Sequence, residues 1–338
     1  MAGVVGPVSG TVLVVALGAA GRGVGTLSVA FSLALFGVGV ALVIWATERL
    51  LEGLVGLAWL LRVSAFAVAA ILSGFEAENV AVGLAAARRG AEEVALGTVF
   101  GGAIFLVCVA LGLGAVLYPL RVRLPRGFLV LMAACPLAVG VGLIGGTTGR
   151  LAGAALLAAF ALAVAYLVVA SRHHRFLDSE EVREAEEKRR SYPKAVGLTV
   201  LGLAVIAVGG ELVTVGAEGI VSALGLSALL VGMVVTPAAI EVEEVIRQAV
   251  PTREGLPEVS AGNLVGTLLY FLWFNLGLIS LLVPVRVNPQ VIAFDWPFLV
   301  AVTWLATLFF ARGRVGRVEG AALLLAYALY AALRAFYL

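Results

Sequence analysis

The sequence predicts an all-α polytopic membrane protein, with ten transmembrane helices in two inverted five-helix repeats and broken helices at a central ion site. Three observations support this prediction. Of the 338 residues, 62% are hydrophobic and only 13% are charged, about half the charged fraction of a soluble domain. Most of the length lies in apolar runs of about 20 residues, which is long enough to cross a bilayer. Carboxylates stand in the middle of two such runs, and the stretches around them are copies of each other.

Apolar runs divide the chain into ten predicted spans, five on each side of one long polar interval. The interval, residues 172–194, carries charges of both signs and is predicted to be a solvated, helical cytoplasmic linker. The predicted domains are therefore a first five-helix repeat at 1–171, this linker, and a second five-helix repeat at 195–338. The first 20 residues are apolar with no basic region before them, so we interpret them as an extracytoplasmic lead-in, with an atypical signal segment as the alternative. The spans are 27–49, 61–87, 92–118, 127–146, 151–171, 195–222, 226–250, 257–284, 293–311 and 318–336.

Basic residues predict the orientation. With the linker in the cytoplasm, fifteen Arg and Lys residues fall on the inside, including Arg247 as a loop residue, and six fall on the outside. This excess follows the positive-inside rule and places both termini outside the cell, with the plasma (inner) membrane as the expected location. Five spans per half is an odd number, so the second half enters the membrane upside down, as in many secondary transporters.

An internal repeat contains the acidic residues. Residues 76–102 align without a gap on residues 241–267, which lie 165 positions later (241 − 76). Nine of the 27 positions are identical, against about two expected by chance at ordinary residue frequencies. The identical pairs are Glu76/Glu241, Glu78/Glu243, Val80/Val245, Arg88/Arg253, Gly90/Gly255, Glu93/Glu258, Val94/Val259, Gly97/Gly262 and Gly101/Gly266.

Glycine or proline precedes each acidic stretch and predicts a broken helix. The two interruptions are residues 71–74, which include Ser73 and Gly74, and residues 235–238, which include Pro237. Proline removes a backbone donor and kinks a helix. A broken helix exposes carbonyl groups and a helix N-terminus, which lipid tolerates only beside a polar cavity. We therefore expect both breaks to lie at a cation site.

Helical spacing sorts the polar residues of the two stretches. Residues three apart share a helix face, so Glu76 lies with Asn79 and Glu241 lies with Glu244. We predict that these four side chains bind the cation directly. For any single glutamate, the alternative is a protonated side chain that caps a broken helix.

Glu78 and Glu243 each point about 200° away from the first glutamate of their stretch. They are predicted to support the site, carry protons or pair with a buried arginine. Three direct carboxylates suit an oxygen-seeking divalent cation such as Ca²⁺, Mg²⁺ or Mn²⁺. Like charges repel, so close carboxylates retain protons, and the site could exchange protons for the cation. Thr98, Asn263 and Thr267 could add neutral oxygens.

At these residues the chain resembles the calcium/cation antiporter superfamily, which includes the sodium/calcium and proton/calcium exchangers. That family has ten spans in two inverted halves, each with a Gly-Thr-Ser-x-Pro-Glu motif followed by Gly-Asn-x-x-Gly-Ser-Asn. Residues 74–79 align with the first motif, and residues 97–103 and 262–268 align with the second. Residues 209–213, 223–227 and 230–232 resemble the family's sixth and seventh spans.

The resemblance implies which positions line the ion site. The family's Ser and Glu positions fall on Glu76 and Asn79 in the first half, and on Glu241 and Glu244 in the second. The chain departs from the family pattern because acidic residues stand at the Ser and Pro positions. This shift of acidity leaves the ion and the counter-ion open. At the other motif positions, Pro corresponds to Glu78 and Glu243, Asn to Thr98 and Asn263, and the second Ser to Gly102 and Thr267.

The predicted function is secondary active antiport of a divalent cation, with Ca²⁺ as the first candidate, against H⁺ or Na⁺ by alternating access. The first and sixth spans would slide past a core formed by the second, third, seventh and eighth. Glu211 and Glu48 lie on the sliding spans, either as solvent-side acids that guide ions or as interfacial residues. The alternatives are an exchanger for Mg²⁺ or Mn²⁺, a passive divalent-cation channel, and a membrane-embedded enzyme.

Several classes are disfavoured by what the spans contain. The two histidines, His173 and His174, lie in the linker, and the two cysteines are far apart in sequence. Neither a Ser/His pair nor a His-rich cluster lies at membrane depth, so we do not predict an enzyme, a soft-metal site or a cofactor. The expected partners are the cation, the counter-ion and the lipid bilayer, without nucleic acid.

Overall fold

A computed structural model describes residues 28–60, 76–143, 145–170 and 192–336. Within these ranges the chain forms helices joined by short turns, with one small strand pair. The strands are β1 (Thr147–Thr148) and β2 (Val285–Arg286), which pair antiparallel. The helices are α1 (Val29–Leu60), α2 (Ala77–Arg89), α3 (Glu92–Leu117), α4 (Arg126–Leu143), α5 (Arg150–Ala170), α6 (Tyr192–Leu224), α7 (Ala228–Ile240), α8 (Val242–Arg253), α9 (Pro257–Leu282), α10 (Val291–Ala311) and α11 (Arg317–Phe336).

Eight helices in the described ranges are long and apolar enough to cross a membrane, namely α1, α3, α4, α5, α6, α9, α10 and α11. They confirm the predicted all-helical membrane fold. Of the other two predicted spans, 61–87 begins in residues outside the described ranges, and 226–250 corresponds to the short helices α7 and α8. The predicted linker at 172–194 lies almost wholly outside the described ranges.

The first predicted span, 27–49, is confirmed by the apolar part of α1, Val29–Leu50. The helix itself continues to Leu60. Arg49 and Glu52, three residues apart, form an ion pair of 2.7 Å along the helix. Such pairs stabilise a helix beyond its apolar part.

The predicted helix break at 235–238 is wrong by a few residues. Helix α7 continues through Pro237 to Ile240, and the break falls at Glu241, whose φ of −87° and ψ of 9° separate α7 from α8. A π-helical turn, Val231–Val235, precedes the proline. Because that wider turn changes the backbone hydrogen bonding just before Pro237, the missing N–H does not end the helix there.

The predicted break at 71–74 lies outside the described residues. Glu76, with φ of −115° and ψ of 67°, immediately precedes α2. It therefore stands at the start of α2 as Glu241 stands at the start of α8.

Helices α3 and α9 form the centre of the molecule. In each of these two helices, 83% of the most apolar 18-residue stretch is buried inside the protein, against 22% in α5 and in α11. The more exposed helices carry apolar side chains outward, such as Val141, Leu151 and Val318. This distribution is the one expected of helices that face lipid around a protein core.

Helices α1 and α6 pack antiparallel on glycine. A Cβ atom on Gly39 would lie 2.6 Å from the backbone nitrogen of Val213, and one on Gly53 would lie 2.6 Å from that of Thr199. Later positions on α1 thus meet earlier positions on α6. Glycine allows two membrane helices to approach this closely.

Contacts between loops recur at equivalent positions. Leu120 forms an antiparallel bridge with Val315, and Val285 pairs with Thr148. Leu120 and Val285 are 165 positions apart (285 − 120), which is the spacing of the sequence repeat. Thr148 and Val315 are 167 apart (315 − 148). In each bridge, the segment after the central helix of one half (Leu120 or Val285) pairs with the segment before the last helix of the other half (Val315 or Thr148).

Two helix crossings show the same relation. A Cβ atom on Gly112 of α3 would lie 3.1 Å from the carbonyl oxygen of Gly320 on α11. A Cβ atom on Gly153 of α5 would lie 2.6 Å from the carbonyl oxygen of Gly277 on α9. Gly112 and Gly277 are again 165 apart (277 − 112). The last helix of each half thus packs on the central helix of the other half.

A buried ion pair also joins α10 to α11. Arg334 pairs with Asp295, and Tyr330 donates a hydrogen bond of 2.7 Å to the same carboxylate. Both charged side chains are fully buried. Because each charge has its partner, the pair avoids the penalty of an isolated charge in the membrane.

Candidate cation site

Asn79 connects the two acidic stretches. It lies in the first turn of α2, and its Nδ2 donates to Glu241 Oε1 at 2.7 Å and to Glu76 Oε2 at 3.3 Å. All three side chains are buried. The start of α2 and the start of α8 therefore meet inside the protein, at residues 162 positions apart in the chain.

Glu244 joins α8 to the central helix α9. Its side chain is fully buried, and its Oε2 accepts a hydrogen bond of 3.1 Å from Asn263 Nδ2. Its Oε1 accepts a hydrogen bond of 2.7 Å from Arg247 Nη1. The four side chains predicted from helical spacing thus lie in one connected network with Asn263.

Arg247 lies among the acidic side chains of the candidate site, where the sequence analysis did not place it. Its Nη1 lies 3.2 Å from Glu76 Oε1 and 2.7 Å from Glu244 Oε1, and its Nη2 lies 2.9 Å from Glu243 Oε1. The prediction that Arg247 belongs to an inside loop is wrong, because the residue lies within α8. Its spacing of three from Glu244 and four from Glu243 was the signal that could have found it.

Glu78 and Glu243 have different partners. Glu78 accepts a hydrogen bond of 2.9 Å from Thr47 Oγ1 of α1, and both residues are buried. Glu243 pairs with Arg247, and its side chain is 26% exposed. Glu78 thus links α2 to α1, while Glu243 contacts Nη2 of Arg247.

Some neutral oxygens near these helices have no hydrogen-bond partner within the described part of the chain. Asn79 Oδ1 and Thr267 Oγ1 are both buried in this way. A buried polar atom without a partner is costly unless water or an ion satisfies it. Thr98, in contrast, donates to the carbonyl oxygen of Ala95 at 2.9 Å. Its role as a ligand stays a prediction.

The carboxylates are bridged by donors and do not converge on one point. Among the described residues, no group of three or more His, Cys, Asp or Glu side chains is arranged to hold a metal ion. The amide of Asn79 stands between Glu76 and Glu241, and the guanidinium of Arg247 stands between Glu76 and Glu244. The roles of these acids as cation ligands therefore stay predictions.

Comparison with known proteins identifies the family. The family described as sodium/calcium exchanger protein matches residues 31–169 and 194–336, which are most of the chain. The chain belongs to this family. As the family name implies, it is an integral membrane protein, in agreement with its long apolar helices.

Two curated relatives cover most of the chain. CaxA of Alkalimonas amylolytica, named as a candidate antiporter, is 26% identical over 305 residues, which are 86% of this chain and 94% of CaxA. The inner membrane protein YrbG of Escherichia coli is 25% identical over 81% of this chain and 87% of YrbG. The sodium/calcium exchanger MaX1 of Methanosarcina acetivorans is 22% identical over 42% of this chain and 41% of its own.

Solved structures of the sodium-calcium exchanger NCX_Mj share the fold. One, soaked with Na⁺ and Sr²⁺, superposes with a TM-score of 0.59 at 21% identity and covers 90% of this chain and 99% of its own. Another, soaked with neither Na⁺ nor Ca²⁺, gives a TM-score of 0.55 at 21% identity. The exchanger fold thus extends over nearly the whole chain.

Acidic residues on the two long helices of this exchanger fold are mainly paired. Arg89, the last residue of α2, lies 2.9 Å from Glu218 and 3.7 Å from Glu211, both on α6. Glu48 on α1 is 61% exposed and lies 3.9 Å from Arg49. Glu211 therefore stands at an ion pair between α2 and α6, while Glu48 lies at the surface.

Proposed function

We propose that this chain is a secondary active antiporter that exchanges a divalent cation, with Ca²⁺ as the first candidate, for H⁺ or Na⁺ by alternating access. The observation that carries the proposal is the meeting of carboxylates from both halves at one buried place. Asn79 bonds to Glu76 and Glu241, and Arg247 bonds to Glu76 and Glu244. Buried carboxylates within a membrane protein mark ion pathways. Membership of the sodium/calcium exchanger family supports the same conclusion.

The proposed architecture is ten spans in two inverted five-helix repeats. The antiparallel packing of α1 on α6 supports it, because these helices begin the two halves. The paired contacts spaced by 165 residues support it as well. The two further spans would contain α2 in the first half, and α7 with α8 in the second. An inverted repeat places its binding site near the bilayer midplane.

The proposed cation ligands are the carboxylates of Glu76, Glu241 and Glu244 with neutral oxygens around them. Asn79 Oδ1 and Thr267 Oγ1 are available for this purpose because neither has a hydrogen-bond partner among the described residues. A hard divalent cation takes six to eight oxygen ligands when it is Ca²⁺ and six when it is Mg²⁺. An exchanger for Mg²⁺ or Mn²⁺ would use the same oxygens.

The proposed movement is a sliding of α1 and α6, as one packed pair, past the core that holds the site. Glycine contacts such as Gly39 against Val213 hold the pair together. Three polar contacts of the described residues join the pair to α2, namely Thr47 to Glu78, and Glu218 and Glu211 to Arg89. Sliding would break these contacts in one state and form them in the other.

Transport by the purified protein in lipid vesicles tests the proposal. Uptake of radioactive Ca²⁺ is measured with an outward Na⁺ gradient, with an outward H⁺ gradient, and with neither, and unlabelled Mg²⁺ and Mn²⁺ are added as competitors. We expect saturable uptake that depends on one of the two gradients. Uptake that needs neither gradient and follows membrane potential would indicate a passive channel and contradict the proposal.

A further inference from the structure

Arg247 holds a cationic group where the two acidic stretches meet. One nitrogen, Nη1, contacts Glu76 from the first half and Glu244 from the second, at 3.2 Å and 2.7 Å. A cation bound between these carboxylates would bridge the same two oxygens. The guanidinium therefore occupies the place that the proposed function assigns to the transported ion.

The arginine has no counterpart in the first half. The position 165 residues earlier is Val82, which is fully buried and apolar. Glu241 and Glu243 do have counterparts in the first half, Glu76 and Glu78, whereas Glu244 corresponds to the neutral Asn79. The arginine thus belongs to the half that carries the additional carboxylate, Glu244, which it contacts at 2.7 Å.

Glu243 is a further partner of the Arg247 guanidinium, and it lies at the edge of the site. It lies 2.9 Å from Arg247 Nη2, four residues earlier on the same helix, and is 26% exposed, while Glu76 and Glu244 are almost completely buried. A flexible arginine can therefore leave the two buried carboxylates and remain paired at the outer edge of the site. Leaving it unpaired in the membrane would be costly.

We propose that the guanidinium of Arg247 is an internal competitor for the transported cation. It neutralises the empty site between Glu76 and Glu244, and a divalent cation displaces it towards Glu243. The proposal rests on the proposed function of the same site. A divalent cation carries one more positive charge than the guanidinium it replaces, whereas a monovalent cation carries the same charge as the guanidinium. Arg247 thus sets the affinity and favours divalent over monovalent ions.

Mn²⁺ binding to the purified full chain, followed by its paramagnetic resonance signal, tests the competition. In Arg247→Gln the half-saturating Mn²⁺ concentration is expected to fall at least about tenfold, the factor that one charge-assisted hydrogen bond contributes. Na⁺ is expected to compete with Mn²⁺ more strongly in this variant than in the unsubstituted protein. Arg253→Gln, an exposed arginine at the end of the same helix, is the matched control and should bind Mn²⁺ unchanged.

Glu243 gives a test of opposite sign. In Glu243→Gln the guanidinium still has Glu76 and Glu244 when the site is empty, but it loses its remaining partner once Mn²⁺ displaces it. The half-saturating Mn²⁺ concentration should therefore rise about tenfold. The double variant Arg247→Gln/Glu243→Gln should behave like Arg247→Gln alone, because Glu243 acts only through the arginine. A double variant that binds Mn²⁺ more weakly than Arg247→Gln would show that Glu243 is itself a ligand and overturn the proposal.

The outcomes separate this inference from the proposed function. If the unsubstituted protein neither binds Mn²⁺ nor exchanges Ca²⁺, the proposed function fails. If it does both, and Arg247→Gln keeps its thermal unfolding temperature but binds Mn²⁺ equally or more weakly, only the competitor role is overturned. Should Arg247→Gln fail to fold, Arg247→Lys serves in its place, because lysine has a single nitrogen and cannot hold Glu76 and Glu244 through one nitrogen and Glu243 through another. Tighter Mn²⁺ binding in that variant supports the proposal, and unchanged or weaker binding contradicts it.

Discussion

Glu244 is the carboxylate that connects the second acidic stretch to the centre of the molecule. One of its oxygens accepts from Asn263 of α9, and the other accepts from Arg247 of its own helix. Its charge should therefore matter more for cation binding than its shape.

Glu244→Gln tests that expectation. Glutamine keeps the length of the side chain but removes one of three proposed ligand charges, so cation exchange in vesicles should fall at least about 100-fold, as expected for a lost charge interaction in a low-dielectric site. Glu254→Gln, at an exposed position directly after α8, is the control and should exchange normally. Retained exchange in Glu244→Gln, with unchanged thermal unfolding, would place the site elsewhere.

The sequence was sufficient to predict part of the residue-level picture. Asn79 and Glu76 are three apart, and the structure shows the bond that this spacing favours. Arg247 has the same helical spacing from Glu244, but the positive-inside count assigned it to a loop. A local pattern cannot show that Arg247 contacts Glu76, 171 positions away, because that contact depends on how the two halves meet.

At the scale of helices, α1 and α6 form a pair whose spacing is set by glycine. On α1, a Cβ atom on Gly39 would lie 2.6 Å from the backbone of Val213, whereas Gly37 has nothing within 4 Å of its Cβ position. The two glycines are two residues apart on one helix but face different surroundings. Substituting each glycine by alanine therefore distinguishes the effect of crowding between α1 and α6 from the effect of replacing a glycine within a helix.

Gly39→Ala should push α1 away from α6 and slow transport. Overpacking of this kind costs about 1–3 kcal/mol, and a lower thermal unfolding temperature should accompany a lower rate of Ca²⁺ uptake. Gly37→Ala should leave both unchanged or raise the stability slightly, since alanine is the better helix former. Equal behaviour of the two variants would contradict the packing described for this pair.

Helix breaks were the least predictable feature at this scale. Proline at 237 indicated a break at 235–238, yet the helix continues to Ile240 because a π-helical turn comes first. Such a turn depends on packing against neighbouring helices and leaves no clear local pattern. The acidic residue itself, Glu241, marks the break.

At the scale of the molecule, each loop bridge joins two loops predicted to lie on the same side of the membrane. Leu120 and Val315 belong to loops predicted inside, and Thr148 and Val285 belong to loops predicted outside. Leaving out Arg247 and the fully buried Arg334, which lie within helices, leaves fourteen basic residues inside against five outside, so the predicted orientation keeps its direction. The sequence repeat is consistent with bridges between equivalent loops, and the orientation itself stays a prediction.

Cysteine labelling tests the orientation. Arg286 and Arg314 have exposed side chains, 79% and 71% respectively, in loops predicted outside and inside. The native Cys108 and Cys135 are buried and should give little background. A membrane-impermeant maleimide added to whole cells should label Arg286→Cys at once, and Arg314→Cys only after permeabilisation. The reverse pattern would overturn the orientation, and labelling of both from outside would overturn the ten-span topology.

The most direct measurement of the central claim is anomalous X-ray scattering from crystals of the protein soaked in Mn²⁺. The expected result is one strong peak bounded by the carboxylates of Glu76, Glu241 and Glu244, with the guanidinium of Arg247 drawn back to Glu243. A peak at another place, or carboxylates that lie apart and face the lipid, would contradict the claim that the two halves of the chain build one cation site between them.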